Sequence, residues 1–305
     1  MALRSTSLLN PPTLPPMLNG VEFYVTECEN VMSPETTPFG DPLKPFRACT
    51  VLVSFASGDA ERAAHLPLRH ALAFGQTSSE VCDGAEWLQK LIRALSERLK
   101  ATNHDMVVAA IYAGSGGDSD AETVQSVADV LRQRFGASLA ALLVVAADSS
   151  ASSHQFNRVK GVSGFVVGVS GTDAETARSL FLCLAMLSAP KTLTGIDLFF
   201  LEPVFGTADS PTVLVDAVWL RDGEGRLVFA SAADGQAVRC AAHIVAFPLI
   251  DGPWGWAELR RNCEAIRAAA DGAGSPVFFA ADGAIAPNLL SSQISIVPIL
   301  CAAHR

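Results

Sequence analysis

Residues 105–122 read DMVVAAIYAGSGGDSDAE, and this stretch decides the fold of the 305-residue chain. Asp105 to Tyr112 is a nearly continuous apolar run, a pattern typical of a strand that is covered on both faces of its sheet. Ser119-Asp120-Ala121-Glu122 is a capping box, in which a serine and a glutamate satisfy free backbone N–H groups at the start of a helix. A buried strand that leads through glycines into a capped helix is the building unit of a parallel α/β sheet.

The same unit recurs on both sides of this stretch. Further capping boxes lie at 77–80 and 172–175, and further strand-like runs at 48–55, 139–147 and 164–169. The helix that follows residue 175 is apolar nearly all round over 180–187, so we expect it to be buried. Strands and helices that alternate at this spacing predict an α/β fold with a largely parallel, doubly wound sheet over about residues 46–190.

The two ends of the chain differ from this central region. Residues 1–45 form a Pro-rich N-terminal arm that encloses one strand-like piece, 21–26. Residues 191–305 are expected to form an α+β part that is either a second domain or an antiparallel extension of the first sheet. The predicted elements of this part are a hairpin of 213–220 and 227–232, a third strand at 237–247 that makes an antiparallel meander, one helix at 256–270, and strands at 277–280 and 293–300.

The charge content is low and excludes several classes of protein. Charged residues make up 17% of the chain, below the usual fraction of about 25%, and the net charge is −9. This composition argues against a disordered chain, a coiled coil and a partner that is a nucleic acid. The uncharged stretch 283–303 is broken by Pro287, Pro298 and several polar residues, so we predict no membrane span. It is therefore either a central strand of the second half or an edge that a partner covers.

The cysteines bear on the compartment in which the protein works. Seven cysteines are scattered along the chain with no CxxC or CxxH spacing, which favours free thiols over disulfides or a metal site. Residues 1–20 lack the continuous apolar core of a secretory signal and favour a flexible Pro-rich lead. A cytoplasmic location is therefore expected.

The loop after the central strand is the main candidate for a ligand site. It joins the carboxyl end of a strand to a helix N-terminus, where open α/β sheets bind ligands and where anions are favoured. The loop itself holds no Lys or Arg, and its acidic residues already complement the helix dipole. It is either a tight capped turn or a phosphate site in which Asp118 or Asp120 holds a metal. The candidate binding residues are Gly114, Ser115, Gly116, Gly117, Asp118, Ser119, Asp120, Arg158 and Lys160, and we assign no cofactor.

The placement of this loop resembles that of the phosphate loop in the tubulin and FtsZ family. The family signature, GGGTG[TS]G, would align with residues 115–120, where acidic residues replace its Thr-Gly-Thr-Gly half. No glycine-rich nucleotide loop precedes it nearer the N-terminus. The resemblance covers one strand, loop and helix, and we transfer no site residue from it.

A serine nucleophile is the third interpretation of the same loop. Residues 113–117 are an AxSxG variant of the strand–elbow–helix motif of α/β-hydrolases, with Ser115 at its centre. Asp197 or Asp216 would then be the acid and His243 the base. The helix cap falls at Ser119 rather than directly after Ser115, and 168–172 offers a second elbow, so a hydrolase is the weaker alternative.

Two functions from different classes follow. The first is a non-catalytic subunit or assembly factor that acts through contacts with a protein partner or a second copy. Its support is the low charge, the mean hydropathy of +0.31 and the lack of a complete catalytic set. The second is an enzyme that binds a nucleotide or another small phosphate ligand at 114–120. We favour the first.

Overall fold

The computed structural model describes residues 21–26, 48–64, 71–76, 84–98, 105–114, 121–147, 165–170, 174–185, 212–220, 226–247, 256–270, 277–278 and 294–303. In chain order the elements are β1 Val21–Thr26, β2 Ala48–Ser54, α1 Asp59–Ala64, β3 Ala71–Gln76, α2 Gly84–Arg98, β4 Met106–Gly114, α3 Ala121–Phe135, β5 Leu139–Ala146, β6 Phe165–Ser170, α4 Ala174–Ala185, β7 Thr212–Leu220, β8 Arg226–Phe229, α5 Ala232–Cys240, β9 Ala241–Ala246, α6 Trp256–Ala269, β10 Val277–Phe278 and β11 Ile294–Ala303.

The strands form one sheet in the order β1-β3-β2-β4-β5-β6-β7-β11-β9-β10, and β8 pairs with β7. Neighbours from β3 to β7 are parallel, which confirms the predicted α/β class. At one edge β1 adds antiparallel to β3. On the other side β11 is antiparallel to both β7 and β9, so the second half extends the same sheet. The domain boundary that we predict near residue 190 lies outside the described residues.

Helices cover both faces of the parallel strands. Ile111 of β4 packs in a core with residues of α2 and α3, among them Leu91 and Leu131. The next residue, Tyr112, points to the opposite face, where its ring lies 5.7 Å from that of Phe181 in α4. The sheet is therefore doubly wound, as predicted. Residues 180–183 of α4 are buried, as expected; the side chains of 184–187, the rest of the predicted buried stretch, lie outside the described residues.

A second core lies under α5 and α6 on one face of the antiparallel strands. It includes Trp219 of β7, Val238 of α5 and Ile266 of α6. β11 runs through the middle of this part, between β7 and β9, and its residue Ile299 is fully buried. The uncharged stretch 283–303 thus contributes a central strand, the first of the two alternatives that the sequence left open.

Several elements differ from the sequence-based predictions. Residues 232–240 form helix α5, so that only 241–246 of the strand expected over 237–247 are a strand, β9. The reason is a cap, because the Ser231 side chain accepts a hydrogen bond from the backbone N–H of Asp234. The predicted hairpin is confirmed as β7 and β8, but β9 then pairs with β11 and β10 rather than continuing a meander with β8. The short elements α1 and β3 were not predicted.

The cap at Ser231 gives a direct test of helix α5, which takes up the first four residues of the expected strand. Ser231→Ala should lower the free energy of unfolding by about 1 kcal/mol, since it leaves a backbone N–H of the first helical turn without its acceptor. Ser231→Asp keeps an acceptor and serves as the control. Chemical denaturation measures both variants, and equal stability of the Ala and Asp variants would contradict the cap.

Candidate functional site

The carboxyl ends of the parallel strands and the first turns of three helices meet at one edge of the sheet. The strands end at Ser54 in β2, Gly114 in β4, Ala146 in β5 and Ser170 in β6, and the helices begin at Asp59, Ala121 and Ala174. In open α/β sheets ligands bind outside this edge. This edge therefore contains the candidate functional site.

Gly114 is the part of the predicted loop that the structure describes. Its φ of 78° lies in the left-handed region that favours glycine, and the β4–β5 register shifts between Tyr112 and Gly114. Its carbonyl accepts a hydrogen bond from the backbone N–H of Ala147 at 3.2 Å. The other predicted site residues, 115–120 with Arg158 and Lys160, lie outside the described residues. The ligand site therefore stays a prediction.

A buried polar network occupies the same edge beside β2. The Ser54 hydroxyl donates to Oδ2 of Asp59 at 2.8 Å. Oδ1 of Asp59 lies 2.8 Å from Nε of Arg178 in α4, and Nη1 of that arginine lies 2.6 Å from a Glu175 oxygen. The Asp59 side chain is 0% exposed and that of Arg178 is 17% exposed. We call Ser54, Asp59, Arg178 and Glu175 the edge network.

The edge network connects elements that are distant in the sequence. Asp59 is the first residue of α1, whereas Arg178 is in the second turn of α4. Close by, the Tyr112 hydroxyl at the end of β4 donates to the carbonyl of Ala174 at 3.1 Å. These bonds fix the first turns of α1 and α4 against the ends of β2 and β4. The edge is thereby held in one shape before any ligand or partner arrives.

The charge balance of the network indicates what it can do chemically. Arg178 faces two carboxylates, Asp59 and Glu175, so its positive charge is already compensated. The guanidinium therefore links the two helices, and its charge is not available to bind an anion. The sequence analysis missed this network. The one available signal was an arginine in the first half of a helix that is otherwise mostly apolar.

The described cysteines are free thiols, as predicted, and three of them are deeply buried. Burial raises the pKa of Cys49 and of Cys301 to about 12, and it also raises the pKa of Cys183. These three thiols stay protonated at neutral pH and are poor nucleophiles. Among the described residues no group of three His, Cys, Asp or Glu side chains is arranged to hold a metal ion.

Of the hydrolase alternative, the structure describes Asp216 and His243, and these two residues are not close to each other. Asp216 on β7 pairs with Pro298 of β11, and the exposed His243 on β9 pairs with Ala302 of the same strand. Four residues of β11 separate the two positions, a rise of about 13 Å along the strand. Asp216 and His243 therefore cannot share a proton. Ser115 and Asp197 lie outside the described residues.

Comparisons with known proteins give a likeness in structure only. No protein-family model matches the chain, and no curated protein is similar to it in sequence. An empty FtsZ dimer of M. jannaschii is similar in structure, with a TM-score of 0.46 and 11% identity over 84% of this chain and 88% of that one. A mutant of the same FtsZ gives a TM-score of 0.48 and 10% identity over 85% and 91% of the two chains. We transfer no site from FtsZ.

No helix in the described part of the chain is long and apolar enough to cross a membrane.

The edge network leads to a prediction about stability. Arg178→Met should lower the free energy of unfolding by about 3–5 kcal/mol, because it leaves the Asp59 carboxylate buried without its counter-charge. Glu175→Gln removes only the more exposed partner and should cost less than about 1 kcal/mol. Urea denaturation of both variants measures the difference. Equal losses of unfolding free energy in the two variants would show that the buried Asp59–Arg178 pair stabilises the fold no more than the exposed Arg178–Glu175 pair does.

Proposed function

We propose that this protein is a non-catalytic subunit or assembly factor that acts through protein–protein contacts, as the sequence also led us to favour. The observation that carries the proposal is an exposed apolar side chain on β8, a strand that pairs with β7 alone among the described residues. Val228 of β8 is 48% exposed, although the strand on which it lies is part of the main sheet. An apolar side chain on a solvent-facing sheet surface is typical of a contact site when its neighbours are apolar too.

Two neighbours of Val228 on this face, Val218 and Leu220, are apolar, whereas Arg226 and the half-buried Asp216 are charged. β8 alternates, so that Leu227 and Phe229 pack on the second core while Arg226 and Val228 point to the other face of the sheet. Val228 pairs with Val218 of β7, and Arg226 pairs with Leu220. Val218 and Leu220 are only half-buried, in contrast to the alternate β7 residues under α5 and α6. We call Val218, Leu220, Arg226 and Val228 the open face.

The backbone of β8 adds a second means of contact. Within the described residues β8 pairs with β7 alone, so the N–H and C=O groups along its outer edge are suited to pairing with a strand of another chain. The proposed partner is a protein or a second copy of this chain that covers the open face and pairs with this edge. A cytoplasmic location, expected from the free thiols, is part of the same proposal.

The open face leads to a prediction about association. Val228→Lys places a charge at the centre of the face and should weaken the self-association or the recovery of a stoichiometric partner by at least tenfold. Val228→Ile keeps the apolar surface and the strand propensity, so it should bind as the wild type does. Light scattering after gel filtration and native mass spectrometry of the complex from lysate report the result.

Two outcomes would contradict the proposal. One is a wild-type chain that is a stable monomer and recovers no partner. The other is a Val228→Lys variant that associates as strongly as Val228→Ile. Circular dichroism of both variants separates a lost contact from a lost fold.

We propose as the second candidate a small phosphate ligand, such as a nucleotide, at the carboxyl edge of the parallel strands. The observation that favours it is Gly114, whose left-handed backbone ends a strand that is buried from Val107 onward. Phosphate binding at this edge would use the backbone N–H groups of 115–120, with Arg158 and Lys160 as counter-charges. The acidic residues of the loop imply a divalent metal between phosphate and protein.

A thermal-shift screen tests this second candidate. Nucleotides and phosphosugars with Mg²⁺ should raise the melting temperature of the wild type, since a ligand that binds only the folded state stabilises it. Asp118→Ala combined with Asp120→Ala should abolish the rise, whereas Asp129→Ala on the exposed side of α3 should leave it unchanged. A rise that persists in the double variant would exclude these two carboxylates from the site.

A further inference from the structure

Asn262 is a fully buried carboxamide with an unusual environment. It lies in α6, its exposed fraction is 0%, and neither Oδ1 nor Nδ2 has a hydrogen-bond partner within the described part of the chain. Buried side-chain amides are nearly always hydrogen-bonded, because water would otherwise satisfy them in the unfolded state. This residue therefore makes the docked position of α6 less favourable than an apolar side chain would.

The position of Asn262 on the helix defines what it faces. Asn262, Ile266 and Ala270 follow one another at steps of four, so they share one face of α6. Ile266 and Ala270 belong to the second core, together with Trp219 of β7. The amide is thus on the same face that joins α6 to an apolar core, while Arg260, Arg261 and Arg267 are exposed.

In the described structure, α6 packs closely on two other elements. α6 packs on β8 and on α5, and β8 is joined to the sheet through β7 alone in the described structure. The β7–β8 ladder runs only from the pair Ala217–Phe229 to the pair Leu220–Arg226. α6 packs directly on β8, and we call these two elements the cover unit.

We propose that the cover unit opens locally, well before the rest of the protein unfolds, and uncovers the Trp219 face of the sheet. In the docked state the Asn262 amide lacks hydrogen bonds, whereas in the open state water supplies them, so the amide favours opening. In the first half, Thr50 of β2 and Trp87 of α2 each have one buried polar atom without a partner among the described residues, whereas Asn262 has two. The inference rests on α6 and β8 and does not depend on either proposed function.

Native-state hydrogen exchange of the full-length chain, read by mass spectrometry, tests the proposal. Peptides from α6 and β8 should exchange at least tenfold faster than those from α3, which packs on the first core. Asn262→Leu removes the unsatisfied amide and should slow exchange in α6 and β8 by roughly 10- to 100-fold, with no change in α3. Ala268→Leu adds an apolar side chain at an exposed position of the same helix and serves as the control.

The results that would overturn the proposal are specific. Equal exchange rates in α6 and α3 of the wild type would show that the second half opens only with the whole protein. Unchanged exchange in Asn262→Leu would show that the amide does not weaken docking. If this variant does not fold, the wild-type comparison decides on its own, because it needs no substitution.

Discussion

The side chains of β4 from Val107 to Tyr112 are at most 1% exposed, so both faces of this strand must be covered. A single layer of helices cannot do this, and the chain therefore places α2 and α3 on one face and α1 and α4 on the other. Helices that alternate between the faces require crossovers between parallel strands. The parallel sheet, the order of its strands and the edge at which all its strands end follow from this requirement.

The strength of the local apolar pattern explains which elements could be predicted from the sequence. Long apolar runs such as β4 and capped helices such as α3 carry strong local signals, and these elements were predicted within a few residues. Two kinds of element carry no such signal. Short pieces such as α1 and β3 have too few residues for a period to show. Residues 237–240 fit either period, and the Ser231 cap favours a helix that ends at Cys240, before β9 begins.

The candidate site also has one part that the sequence indicates and one part that it does not. A glycine after a buried strand is visible in the sequence, and the structure gives Gly114 the left-handed backbone that only glycine adopts easily. The edge network was not predictable, because Asp59 and Arg178 meet only once the sheet has formed. The unsatisfied Asn262 was equally invisible, since an asparagine in an amphipathic helix gives no sign of whether it lies inside or outside. A single sequence gives no local sign of which distant residues come into contact in the fold.

The junction between β6 and β7 has a mechanical consequence. Among the described residues the two strands share only the register pairs Val169–Thr212 and Ser170–Val213, whereas their neighbours on either side are joined along much longer ladders. A shear force applied across the sheet would therefore concentrate at this seam. α4 spans it, because it packs on β4 and β5 on one side and on β11 on the other. The helix therefore connects the two halves of the sheet across this seam.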